Sequence, residues 1–225
     1  MTVTKSNDLK GKIKISKSKI SKVSKISKPL INLKINLSRS YLFQVPYNKV
    51  DHENVSNVSA NNCVLQTFTA LGLRDPIVSE EDSNIMVKKK AYGMTSREMA
   101  KYLSLAFKTQ ILHEYKSGIN INHYKTIKNG NASIICLTYS KIDGKKSYGG
   151  HAFIIYKENG KIKYYDPPSR INTYSIEKVM DYYGMSDILD TTIFYNKGQT
   201  NSFLSNKKIP LTIRSKRSLQ VKTSS

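Results

Sequence analysis

Residues 147–168 read SYGGHAFIIYKENGKIKYYDPP, and Asn159-Gly160 divides them into two runs rich in Ile, Tyr and Phe. A two-residue type I′ turn needs positive φ at both central positions, and Asn-Gly is the pair best suited to it. Such a turn sets Glu158 opposite Lys161, Ile155 opposite Tyr164 and Phe153 opposite Asp166. Alternation then places His151, Phe153, Ile155, Ile162, Tyr164 and Asp166 on one face. His151 falls diagonal to Asp166, roughly 7–8 Å away between backbones, a span that two side chains can close. The register therefore predicts that the imidazole meets the carboxylate. A carboxylate so placed fixes the tautomer of the ring and favours its protonated form, as the last member of a nucleophile, base and orienter.

A nucleophile has to come from elsewhere in the chain. The segment NNCVLQTFTALGLRD predicts a helix, with Asn61 or Asn62 as its cap, Val64, Leu65, Phe68 and Leu71 at helical spacing, and Gly72 at its end. Cys63 then sits in the first turn, at the positive end of the helix dipole. That position, together with a neighbouring imidazolium, moves a thiol from about 8.5 to about 3.5–7.5. By itself a cysteine at a helix start reads as a small apolar residue, and Asp166 before Pro167 reads as the start of a turn. In combination with the Gly-Gly-His strand they point to chemistry. Cys136, flanked by Ile134, Ile135 and Leu137, reads as core. His113 and His123 lack a Gly pair or an acid in register, and His52 lies in a polar segment, so all three read as structural or surface residues. The spacing of two cysteines and four histidines suits no zinc site, and neither a metal nor a cofactor is expected.

The remaining segments set the class. YGMTSREMAKYLSLAF predicts a second helix, opened by a Thr95–Glu98 capping box and carrying an apolar stripe of Met99, Leu103, Ala106 and Phe107. SIEKVMDYYG predicts a third, ending at Gly184, while TQILHEY, ASIICLTY, GHAFIIYK, KIKYYD and TTIFYN read as strands. Helices followed by mostly neighbouring strands give an α+β class with an antiparallel sheet.

Charge divides the chain into three parts. It holds 37 Lys and Arg against 16 Asp and Glu, a net charge of +21. Residues 1–40 carry eleven basic groups and one acid, residues 197–225 seven basic groups and none, and residues 41–196 carry 19 and 15. One domain over 41–196 between two cationic arms follows, long enough to bury roughly 70% of the unfolded chain's surface. In the first arm KISKVSKISK repeats every three residues, which suits neither the period of a strand nor that of a helix, so disorder in isolation is expected. A lysine at every third position can contact a polyanion, either nucleic acid without base preference or an anionic surface; it can equally be a solubilising spacer. The second arm holds a basic cluster at Arg214–Arg217 of the kind found in nuclear-localisation signals. No run is apolar enough to span a bilayer and no secretory signal is evident. With two widely separated cysteines, a reducing compartment is expected.

The helix-start Asn62-Cys63, the strand Gly150-His151-Ala152-Phe153 and the terminal Asp166-Pro167, in that order, resemble the papain-like cysteine peptidase superfamily, and most closely the compact peptidases of large DNA viruses. The resemblance covers about residues 41–196. It implies a papain-like fold, with an N-terminal helix carrying the cysteine and a following antiparallel sheet carrying the histidine and aspartate. Papain-fold glutamine deamidases and bacteriocin-leader peptidases are similar around the histidine strand. The chain departs from the superfamily at the oxyanion glutamine: Asn57 stands where that residue is common, six before Cys63. Gln44, returned by a loop, or Asn62 with the Cys63 backbone N–H, has to serve instead, and loss of one such donor costs about a hundredfold or more.

Three functions follow as expectations. The first is a thiol hydrolase of peptide or isopeptide bonds in a protein substrate, ubiquitin-like conjugates among them, with Cys63, His151 and Asp166 as its triad. The second is a protein glutamine deamidase using the same groups. The third is a virion-associated or polyanion-binding structural protein on a retained papain-like fold. The resemblance places the chain in host cytoplasm or nucleus, or packaged in a virion.

Overall fold

In a computed structural model of the protein, Asn159 and Gly160 adopt φ of 50° and 76° and close the expected hairpin. It joins strand β5 (Lys145–Glu158) to β6 (Lys161–Asp166), with Glu158 against Lys161 and Ile155 against Tyr164. The same chemistry recurs at Asp143-Gly144, with φ of 47° and 72°, and closes β4 (Asn131–Ile142) on β5. This second turn extends β5 back to Lys145, well before the start expected at Gly150.

The structure describes residues 40–47, 58, 62–89, 91, 93–197, 208 and 211, all within the unit Asn36–Ser225. The expectations for the arm 1–40, apart from Ser40, lie outside the described residues. So does most of the stretch 197–225.

Around β4 and β5 the antiparallel sheet is completed by β1 (Ser40–Leu42), β2 (Val45–Pro46), β3 (Ile111–Ser117), β7 (Ile171–Thr173) and β8 (Met185–Lys197). The strand order is β1-β8-β4-β5-β6-β7, with β3 also on β8 and β2 also on β4. Among the described residues the α-helices are α1 (Cys63–Ala70), α2 (Pro76–Lys88), α3 (Ser96–Phe107) and α4 (Ile176–Tyr182). Mixed helix and antiparallel sheet, as the class requires, is what the chain forms.

Alternation along the central strands gives the sheet two apolar faces. Ile134, Cys136, Ala152 and Phe194 pack under Phe68 of α1 and Met99, Leu103 and Phe107 of α3. Ile135, Leu137, Phe153, Ile155, Tyr164 and Ile193 pack on the opposite side under Tyr124 and under Ile176 and Val179 of α4. Burial of a side chain such as Leu103 or Phe153 contributes about 1.5–3 kcal/mol, so the central strands hold the domain together. The Thr95–Glu98 capping box opens α3 as expected, and Gly184, with φ of 60°, stands just beyond α4.

Helix α2 has no counterpart among the expected elements, and its packing explains why. Its buried side chains are Ser79, Ser83 and Met86, while Ile77, Ile85 and Val87 are exposed. The helix is started by Asp75, which accepts from the Ile77 and Val78 N–H groups, and by Pro76 at its first position. Polar contacts then pin it to α1 and to the residues on either side of α1. Asn62 Nδ2 donates to Ser83 Oγ at 2.9 Å, Thr69 Oγ1 lies 2.7 Å from Ser79 Oγ, and the buried Arg74 pairs with Asp82. Apolar periodicity cannot reveal a helix whose inner face is built from serines.

Candidate active site

Strand β6 pairs with β5 only as far as Ile154, and beyond that point α1 takes over the edge of β5. The Ala152 N–H donates to Cys63 Sγ at 3.5 Å, and the Ala152 carbonyl accepts from Thr67 Oγ1 at 3.0 Å. Cys63 and Thr67 are one helical turn apart and so share a face. One strand residue therefore seats both and fixes the sulfur beside β5.

His151 precedes Ala152 and so projects to the other side of the sheet. Its Nε2 lies 2.7 Å from Asp166 Oδ1, with His151 8% exposed and the aspartate fully buried. That leaves Nδ1 as the ring nitrogen turned away from the carboxylate, and the Cys63 and His151 side chains are near enough for each to shift the other's titration. The second carboxylate oxygen, Oδ2, accepts from Tyr183 Oη at 2.7 Å and from the Ser169 N–H at 3.2 Å, and the Ser169 hydroxyl also donates to it. The Tyr183 ring stands 4.4 Å from the imidazole and the Phe153 ring 5.7 Å, so the histidine is held between aromatic neighbours.

The electrostatics are polarised in one direction. Burial pushes the Cys63 thiol up, but the hydrogen bond and charge of His151 and the Ala152 N–H outweigh it and hold the thiol below its ordinary value. Burial pulls His151 down, yet its bonds to Asp166 and Cys63 push it up to about 10. Burial likewise raises the Asp166 carboxyl, and His151, Ser169 and Tyr183 together hold it below the usual range. The lowered thiol, the raised imidazole and the lowered carboxyl all shift toward their charged forms, thiolate, imidazolium and carboxylate.

A cavity of about 530 Å³ opens onto this array, with Cys63, Gly150, His151 and Ala152 in its wall. The two glycines before His151 have different reasons. A Cβ at Gly149 would stand 2.5 Å from the Tyr139 hydroxyl, so that position is closed by packing. A Cβ at Gly150 would meet only the Leu137 carbonyl at 3.6 Å, so its missing side chain leaves room in the cavity.

The oxyanion candidates are not brought to the cavity. Gln44 lies in the link from β1 to β2, where its Oε1 accepts from the Lys128 N–H and from Asn131 Nδ2 at 2.9 and 3.0 Å. Asn62 is fully buried, its Nδ2 donating to Ser83 while its Oδ1 has no hydrogen-bond partner among the described residues, and it makes no side-chain cap to α1. Asn57, Asn61 and His52 lie outside the described residues. Cys136 lines the same cavity but is buried, with its Sγ 3.8 Å from Met99 Sδ. His123 Nδ1 lies 3.1 Å from the Tyr195 hydroxyl, and the His113 ring packs edge-on against Tyr115.

Sequence reasoning missed Ser169 and Tyr183. Ser169 had a signal, since a serine three residues after an aspartate in a Pro-rich turn commonly bonds back to it. Tyr183 had none, because α4 docks it from a separate element. No protein-family model matches the chain, and no curated protein matches it in sequence. Among the described residues no helix is long and apolar enough to cross a membrane, and no three His, Cys, Asp or Glu side chains cluster as metal ligands.

Proposed function

We propose that the chain is a thiol hydrolase of peptide or isopeptide bonds on a papain-like fold, working in a reducing intracellular compartment. The observation that carries this reading is the pairing of Cys63 and His151 at the wall of one cavity, with the buried Asp166 bonded behind the imidazole. The Cys63 thiolate attacks the substrate carbonyl, forming a C–S bond. As the C–N bond breaks, the His151 imidazolium gives its proton to the leaving amine. Neutral His151 then takes a proton from water, whose oxygen attacks the thioester; the C–S bond breaks and the acid leaves. Asp166 keeps Nε2 occupied throughout, so that Nδ1 faces the reacting atoms.

The oxyanion is held by the Cys63 backbone N–H. Asn62 places no side-chain oxygen on the first turn of α1, and the first N–H groups of a helix have no partner within it. That assignment replaces Gln44 and the Asn62 amide, both engaged elsewhere.

An active-site-directed thiol probe tests the reading. Labelling is expected at Cys63, lost in Cys63→Ala and strongly slowed in His151→Ala; labelling indifferent to both substitutions overturns it. Incubation with candidate protein substrates, followed by mass spectrometry, then identifies the bond. Fragments mean hydrolysis of the chain, whereas glutamine converted to glutamate in an intact chain assigns the same chemistry to a side-chain amide.

A further inference from the structure

Part of the mixed lining of the cavity beside Cys63 is apolar, and one residue of that part comes from a stretch of the chain that charge alone assigns to an arm. Leu211 lies in the run IPLTI, preceded by Lys207 and Lys208 and followed by Arg214, Lys216 and Arg217. It lines the cavity together with Val64, Met86 and Met94. It packs against the cluster of Val58, Leu65 and Met86 and also against the core between the sheet and helices α1 and α3, where Cys63 and Met94 are its fellow peripheral residues. A leucine that touches both clusters and is half-buried at a cavity wall shapes the cavity it faces.

Those wall residues share one chemistry. Val64 lines the same cavity as Cys63, so an apolar group bound against it shares that cavity with the reacting sulfur. Met86 and Met94 are unbranched and polarisable, and such side chains adjust to the outline of an apolar partner. Glu98, Ser96 and Thr138 line other parts of the cavity, so it is this part of the wall that rewards burial of a hydrocarbon side chain, and its outline depends on Leu211.

We infer that Leu211 forms, with Val64, Met86 and Met94, an apolar subsite beside Cys63 that sorts substrates by the size of one apolar side chain. This rests on the thiol-hydrolase reading, and it makes Leu211 a component of the substrate cleft.

The test uses the full chain with two kinds of alkylating agent. Iodoacetamide reports the thiolate and needs no subsite. Acyl-dipeptide chloromethyl ketones, with each residue in turn Gly, Leu or Phe, form a C–S bond to Cys63 with loss of chloride and also require side-chain binding. In Leu211→Ala the Phe-bearing reagents are expected to gain about tenfold over the Leu-bearing ones at one of the two positions, and in Leu211→Phe the Leu-bearing reagents lose about tenfold while Gly reagents hold their rate. Iodoacetamide rates stay within twofold of the parent chain in both, which also shows that each variant is folded. Size preferences that remain unchanged in both variants overturn the subsite. An iodoacetamide rate that falls equally with all ketones makes Leu211 a support of the fold and likewise overturns it. A parent Cys63 that resists iodoacetamide itself sinks the thiolate reading, and the subsite with it.

Discussion

Cys63 and Cys136 line one cavity, yet their surroundings drive the same functional group in opposite directions. Cys136 sits in a central strand, where burial and the nearby Cys63 push its thiol well above the ordinary value and its sulfur lies 3.8 Å from Met99 Sδ. Cys63 is also penalised by burial, but His151 and the Ala152 N–H reverse the sign. A thiol becomes a nucleophile through a cationic neighbour and an oriented N–H, and a shared cavity is not enough.

The comparison breaks most visibly by removing each sulfur in turn. Cys63→Ala is expected to abolish thiol labelling and to lower hydrolysis about ten-thousandfold or more, whereas Cys136→Ala leaves both intact. Equal losses in the two variants, followed by peptide mapping of the labelled sulfur, would show that the contrast is false.

His151→Ala removes what separates the two thiols. The Cys63 thiol then returns toward a buried, neutral state, and alkylation at pH 7 is expected to slow about tenfold, the smaller thiolate fraction being partly offset by higher intrinsic nucleophilicity. In the parent chain labelling persists below the range of an ordinary thiol, because the Cys63 value is lowered. On the alkaline side the thiolate remains while its imidazolium partner is lost as pH rises through about 10, so hydrolysis falls there and alkylation does not. A rate profile that rises only above pH 8 in the parent chain contradicts the ion pair.

Tyr183→Phe should have a smaller effect, since it deletes one of several donors to Asp166. Loss of a hydrogen bond to a charged group costs about 1.5 kcal/mol, read as a lower thermal midpoint. The Asp166 carboxyl is held low partly by that donor, so its protonation moves to higher pH and the acid limb of the activity profile moves up with it. A fall in stability with an unmoved acid limb would reduce Tyr183 to packing. Smallest of all, Cys136→Ala is expected to cost about 1 kcal/mol in denaturant unfolding, as a modest core truncation does.

Legibility in the sequence followed the range of the interaction. The β5–β6 hairpin could be read because Asn159 and Gly160 dictate their own φ, and register follows from a turn of fixed length. The Thr95–Glu98 box is legible for the same reason, with both partners within one turn. Asp143-Gly144 carried an equal signal, but the strand after it is too polar near Lys145 and Lys146 to draw attention to it. Helix α2 was hidden by a buried face of Ser79 and Ser83, and Gln44 was misplaced because nothing near it in sequence names Lys128 or Asn131 as its partners.

The sequence by itself determined the register that aligns His151 with Asp166, and the helix that begins at Cys63, since each depends on steric and hydrogen-bond preferences within a few residues. Only the tertiary structure decided that Cys63 meets His151, that Tyr183 and Ser169 take the second oxygen of Asp166, and that Leu211 returns to the cavity wall. Those contacts depend on where β6 leaves the edge of β5 and on which element fills the vacated place. That outcome is a property of the assembled core, to which many distant side chains contribute together, and no local pattern encodes it.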